Sequence, residues 1–255
     1  LPVCMPAVSI TSPVETTNGR TPVPWYALTI VAISALLLRA VTVGESLWVD
    51  ELHTSWCVDA SLGDVAARAR VGNQPPLYFW MLWFVTHLLG PSEVSLRLPS
   101  LLAGTASLII VALMVHRWTC SRTLCLLTIL LVALDPQAID YAREARSYAC
   151  VQLLGVLHVI CFLRIQRGSA WGDRLAWILL TWVMFYCHYT SVLLLLGEMF
   201  YLALAWPCRQ WELRRDAVDR WIRRGEALVK QSRSSEAADV YVRAFQASRD
   251  RDQVE

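Results

Sequence analysis

The sequence predicts an all-α protein, a polytopic helical membrane protein with about six transmembrane helices and interfacial helices in its first outer loop. Three observations carry this. Only 17% of the 255 residues are charged and 56% are hydrophobic, whereas a soluble domain carries about 25% charged residues. Long apolar runs recur at 25–43, 98–115, 123–138, 147–163, 175–188 and 192–207. Many of the 12 tryptophans stand at the ends of those runs, where an aromatic belt meets the lipid headgroups.

Composition also excludes classes. The formal net charge is +2, and Lys230 is the only lysine. There is no nucleotide-phosphate loop and no basic patch for nucleic acid, so no nucleic-acid partner is expected. The eight cysteines form no CxxC or other zinc spacing and read as small buried apolar residues.

Residues 1–24 hold Pro2, Pro6, Pro13, Pro22 and Pro24 among Ser and Thr, the composition of a flexible tail. The apolar run that follows is too long for a signal peptide and lacks a small-residue cleavage site. Within that first span, Arg39 can snorkel to headgroups or face inward, toward Asp50 or a phosphate. The loop at 44–97 then opens with Ser46-Leu47-Trp48-Val49-Asp50-Glu51-Leu52-His53-Thr54. Two adjacent carboxylates at a membrane boundary are costly unless solvated, paired or functional. Residues 61–71 read as a helix, with Ser61 as cap and Asp64 four residues before Arg68. A second helix runs from Pro75-Pro76 to Leu89, before Gly90-Pro91. Its roughly 14 residues reach only about 21 Å, short of a hydrocarbon core of about 30 Å, so it is expected to be interfacial or re-entrant.

Charge placement orients the spans. The loops at 116–122 and 164–174 and the chain beyond 207 are basic, so the positive-inside rule makes that side cytoplasmic. The loop at 44–97, the Asp140 to Arg146 segment and the turn at His188 then share the outer side. This predicts a multi-pass protein of the cell inner (plasma) membrane with both termini cytoplasmic. Beyond 208 the chain is soluble in character. Trp221, Gly225, Leu228, Ala237, Tyr241 and Ala244 sit at the offsets of one tetratricopeptide repeat, with helices at about 218–230 and 235–247. A single repeat cannot bury its own face, so a protein partner at 209–255 is expected; a solvated amphipathic helix pair is the alternative. The expected divisions are 1–24, 25–207 and 208–255.

Four motifs now fall in order on one expected side: Asp50-Glu51, Gln74-Pro75-Pro76-Leu77-Tyr78, Ser95-Leu96-Arg97-Leu98-Pro99-Ser100 and Tyr141-Ala142-Arg143-Glu144-Ala145-Arg146-Ser147-Tyr148. With these, residues 25–206 resemble the polytopic GT-C glycosyltransferases, in the bacterial branch similar to protein O-mannosyltransferases and lipid A aminoarabinose transferases. The resemblance implies a polyprenyl-phosphate-linked sugar as donor and a hydroxyl acceptor on a protein, lipid or glycan. A positioned carboxylate can take the proton of a hydroxyl as it attacks the anomeric carbon. That base is assigned to Asp50, with Glu51 orienting it or standing in for it. Arginine's planar fork suits the departing lipid phosphate, and Arg97, Arg143 and Arg146 are the candidates; snorkelling to ordinary lipid phosphates is the alternative for each. Glu144 is expected to position the acceptor or to pair with an arginine. Tyr78, His53 and His188 complete the candidate substrate contacts. No cofactor is expected; a divalent metal between Asp50 and Glu144, of the kind related oligosaccharyltransferases use, is the alternative, and the resemblance to the protein O-mannosyltransferase branch, which is not metal-dependent, argues against it. Members of that family usually carry more spans than six. An inactive relative that anchors the repeat-like tail is therefore the competing reading, and a transporter lacks the paired half-repeats it would need.

Overall fold

A computed structural model describes residues 22–168, 170–231 and 233–249. The tail expected over 1–24 lies, as far as residue 21, outside the described residues. Among the described residues all regular structure is helical, in two compact units that divide between residues 194 and 195.

In the larger unit, α1 (Trp25–Ala40), α2 (Val49–Val58), α3 (Leu62–Val71), α4 (Leu77–Leu89) and α5 (Glu93–Thr119) are followed by α6 (Arg122–Leu134), α7 (Pro136–Arg143), α8 (Tyr148–Gln166) and α9 (Trp171–Cys187). A 3-10 turn, Tyr189–Ser191, leads into α10 (Val192–Lys230). The hub is α5, which packs against α1, α4, α6, α7 and α8. It starts at Glu93, not at the expected 98, because Ser92 and Ser95 cap it reciprocally: each side-chain oxygen accepts the other's backbone N–H, at 3.0 and 3.1 Å.

Two clusters of buried side chains divide the length of α5. Near its C-terminal half, Leu108 and Ala112 meet Leu28 and Ala35 of α1 and Cys125, Ile129 and Ala133 of α6. Near its N-terminal half, Leu96 and Ala103 join Val58 of α2, Val65 of α3, Tyr78, Phe79 and Leu82 of α4, and Ala145 and Ala149. The helices of the 44–97 loop therefore sit over one end of the hub, beside the turn between α7 and α8. Small residues permit this. At Gly104 a Cβ would stand 2.6 Å from the Cβ of Ala142, so α7 crosses α5 at near backbone contact.

The run at 123–138 breaks where Asp135 adopts extended geometry before Pro136, and α6 and α7 meet at 59°. Proline has no N–H, so the Val132 carbonyl loses its helical donor. Arg39 replaces it, donating to Ala133 O at 3.3 Å and Val132 O at 3.4 Å. Arg39 is fully buried. It neither snorkels nor faces Asp50, because the broken helix offers carbonyls that only a buried donor can satisfy.

The expected six spans divide by length. Three helices among the described residues are long and apolar enough to cross a bilayer, Glu93–Thr119, Tyr148–Gln166 and Tyr189–Trp206; the bent α6–α7 pair passes the same test only when its two helices are taken together, as a broken span or a re-entrant loop. With 16 and 17 residues, α1 and α9 reach only about 24–26 Å. The aromatic helix, α4, has 13 residues, as its flanking prolines and glycine implied. The chain is a multi-pass helical membrane protein.

In the smaller unit, the helix expected at 218–230 is not separate. It is the C-terminal stretch of α10, which continues unbroken from Val192 through Pro207 and Gly225 to Lys230. After Lys230 the chain turns, and α11 (Ser234–Arg249) folds back. Gly225 lies under the Tyr241 ring, where a Cβ would approach to 2.7 Å. Ala237, Val240 and Ala244 are buried.

Candidate active site

The site grows from the first turn of α2. Trp48 caps this helix in extended geometry, and Glu51 at the third helical position accepts the Trp48 N–H. Carboxylates are favoured in a first turn by the helix dipole. Successive helical residues point about 100° apart, so the Asp50-Glu51 dipeptide does not present two carboxylates to one space.

Glu51 points inward and is fully buried. Its oxygens accept Arg97 Nε at 2.8 Å and Arg97 Nη2 at 2.5 Å, a two-bond fork. The Ala145 N–H adds a third bond at 2.7 Å. The remaining donors of Arg97 go to backbone carbonyls, Val43 at 2.9 Å and Glu45 at 2.7 Å among them. Four segments are thereby tied together: the end of α1, the start of α2, the first turns of α5 and the α7–α8 turn. Burial alone would raise the Glu51 pKa, but Arg97 together with the Ala145 and Trp48 N–H groups outweighs it and holds the carboxyl below the usual glutamate range.

Asp50 points outward. Its Oδ2 lies 2.9 Å from Arg146 Nη1, with the aspartate side chain 47% exposed and the arginine 12%. Arg146 also donates to Tyr148 OH at 3.2 Å and packs over that ring, 5.4 Å from its centre. The backbone of Arg146 is held from below. Ser100 donates its hydroxyl to Arg146 O at 2.9 Å and so accepts the Tyr78 hydroxyl, at 3.1 Å. Tyr78 is itself buried, and burial foremost drives its phenol well above the ordinary value. It supports the turn and has no route to a ligand.

Arg143 and Glu144 line a cavity of about 310 Å³ with Thr42, Glu45, Trp48, Glu51 and Arg97. Arg143 donates to Leu38 O at 2.7 Å. Burial first, then the charge of Glu51, raises the Glu144 pKa above its ordinary value, against the pull of Arg146. His188 joins the cluster through Tyr148, with ring centres 5.5 Å apart. His53 does not join it. Its ring edges Phe79, its Nε2 lies 3.5 Å from Cys57 Sγ, and the Gly72 backbone closes over it. It is a packing residue at the junction of α2, α3 and α4.

The carboxylate and arginine motifs, distant in sequence, thus meet at one end of the hub helix. Sequence reasoning missed Ser100 as a support of Arg146. It also gave Tyr148 no role, although both residues stood inside quoted motifs.

Fold and site together define a multi-pass helical membrane protein with a carboxylate–arginine cluster gathered by a loop of short helices. A sequence model of the dolichyl-phosphate-mannose-protein mannosyltransferase family matches residues 73–216. That is more than half of the chain, and the chain belongs to this family, a glycosyltransferase of the GT-C type. No curated protein and no solved structure matches it. Arg97, Arg143, Glu144, Arg146, Tyr78 and His188 fall within the matched residues; Asp50, Glu51 and His53 precede them.

Proposed function

We propose that the chain transfers a sugar from a polyprenyl phosphate to a hydroxyl acceptor on the extracytoplasmic side of the inner membrane, with both termini cytoplasmic. The observation that carries this reading is the division of labour within Asp50-Glu51. Glu51 is sealed against Arg97, whereas Asp50 is half exposed and in contact with Arg146. The donor phosphate competes with Asp50 for Arg146 and, on binding, releases the carboxylate. Asp50 then takes the acceptor's hydroxyl proton as the oxygen bonds to the anomeric carbon. The bond from that carbon to the phosphate oxygen breaks, and its electron pair leaves on the phosphate. Arg146, with Arg143 nearby, offsets the developing charge. Glu51 and Arg97 position the start of α2 and the α7–α8 turn. The acceptor is a protein, lipid or glycan hydroxyl, and the α10–α11 hairpin is a surface for a protein partner.

The test is transfer of a labelled sugar from polyprenyl-phosphate hexoses by the purified chain, with Asp50→Asn as the comparison. The variant should fold and bind lipid phosphate yet transfer nothing. Undiminished transfer would remove Asp50 as the base.

A further inference from the structure

A second cavity, of about 370 Å³, adjoins Arg146 through Tyr148. It opens where the α6–α7 break, the first turns of α8 and the His188 turn come together, and its size suits a small-molecule site. Its walls differ in kind from those beside Arg143. No arginine or lysine lines it. The Tyr141 and Tyr148 rings stand 4.8 Å apart, and Asp135, Gln137, Gln152 and His188 supply the polar groups.

The hydrogen bonds within the wall fix what each group offers. Gln137 Nε2 donates to the Tyr141 oxygen at 2.6 Å, which leaves the tyrosine proton free to donate. Thr190 N–H donates to His188 Nδ1 at 3.3 Å, so the neutral ring carries its proton on Nε2. Burial and then the charge of Arg146 hold this histidine below its usual value, which keeps it neutral at pH 7. Asp135 Oδ2 accepts the Ala138 N–H at 3.1 Å, and a carboxylate retains capacity for further donors. The cavity therefore offers aromatic faces, two amides, a carboxylate and directed donors. A phosphate would find no cation on its wall, and an alkyl chain would strand its polar groups. A sugar ring satisfies both requirements, its C–H face on the tyrosines and its hydroxyls on the planar polar groups.

The geometry points to this cavity as the subsite for the hexose ring of the lipid-phosphate donor. This assignment rests on the transferase reading above. In a glycosyl phosphate the sugar is directly bonded to the phosphate oxygen, so its subsite must adjoin the phosphate's arginine. Arg146 meets that requirement, because it contacts Asp50 at 2.9 Å and Tyr148 at 3.2 Å.

Tyr141→Leu and Gln152→Ala test it, since neither side chain is in hydrogen-bond contact with Asp50 or Arg146. The full chain in detergent is titrated with undecaprenyl phosphate, bare and carrying mannose or glucose. Each variant should weaken binding of the preferred sugar-bearing lipid by about tenfold, the size of one lost directed contact, and leave the bare lipid phosphate unchanged. Unchanged binding of the sugar-bearing lipid, or equal weakening of both lipids, overturns the subsite while leaving the transferase intact. A rise confined to the acceptor's KM would also overturn it, by giving the cavity to the acceptor. If the unmodified chain binds neither lipid and transfers nothing, the transferase reading itself falls.

Discussion

Arg97 and Glu51 form a two-bond fork at 2.8 and 2.5 Å with almost no exposed surface, while the neighbouring Asp50 pairs with Arg146 at a half-exposed position. The same loop thus carries one pair that builds the site and one that is free to exchange partners. Breaking a buried pair by removing one charge costs about 3–5 kcal/mol, whereas an exposed pair contributes roughly 0–1 kcal/mol. Glu51→Gln should therefore lower the thermal midpoint in detergent sharply and lose transfer with it. Asp50→Asn should leave the midpoint nearly unchanged and still lose transfer. Melting curves beside sugar-transfer assays check the contrast, and equal midpoints for the two variants would contradict it.

The two glutamates beside the α7–α8 turn should respond to pH with opposite sign. The folded pKa of Glu51 is lowered from the ordinary 4.5, so its contribution is fully present above that value and is lost as pH falls through the lower folded one. The advantage of the unmodified chain over Glu51→Gln should hold down to about pH 4.5 and shrink below it. The folded pKa of Glu144 is raised above 4.5, so stability falls as pH rises from 4.5 through that raised value and stays lowered above it. Glu144→Gln should raise the midpoint at pH 8, and the gain should vanish below pH 4.5. Thermal midpoints measured from pH 4 to 8 read both. A gain from Glu144→Gln that grew toward acid would reverse the assigned sign.

Much of this arrangement was legible in the chain. The apolar runs mark α1, α5, α6, α8, α9 and the start of α10 but not α2, Pro75-Pro76 and Gly90 bound a helix too short to cross, and Asp50 and Arg146, from two of the quoted motifs, stand in contact. What could not be read was which way neighbouring side chains turn and what they meet. Asp50-Glu51 looks like a pair in one dimension, yet helical rotation separates the two. Charge alone gave Arg97 a phosphate and could not name the buried carboxylate of Glu51, 46 positions away, that it also holds. His53 looked like a site residue because nothing local shows that the Gly72 backbone closes over it. Asp135-Pro136 announced a break, but not the 59° turn or the cavity that opens beside it.

The crossing of α7 over α5 should depend on one missing methyl. A Cβ at Gly104 would stand 2.6 Å from the Cβ of Ala142, whereas at Gly155 the nearest atom is the flexible end of Met184 at 3.8 Å. Overpacking a tight contact costs about 1–3 kcal/mol, while glycine to alanine in an unobstructed helix gains about 0.5–1 kcal/mol. Gly104→Ala should lower the thermal midpoint and reduce transfer, because Ala142 lies on the path to Arg143 and Arg146. Gly155→Ala should raise the midpoint slightly and leave transfer alone. If both substitutions moved the midpoint the same way, the close crossing would not be the cause.

Arg39 makes a prediction about local stability instead of catalysis. Its guanidinium supplies Val132 O with the donor that Pro136 cannot and gives a second to Ala133 O, in a fully buried setting. Arg39→Met keeps the apolar stem and removes the donors, leaving two carbonyls unpaired at about 1–3 kcal/mol each. The loss should concentrate at the break, so backbone amides over 135–139 should exchange with solvent faster while those in α8 keep their protection. A lysine at position 39 restores a charge but not the planar fork, and should recover only part of that protection. Uniform acceleration across all helices in Arg39→Met would mean that the residue supports the fold at large and not the bend between α6 and α7.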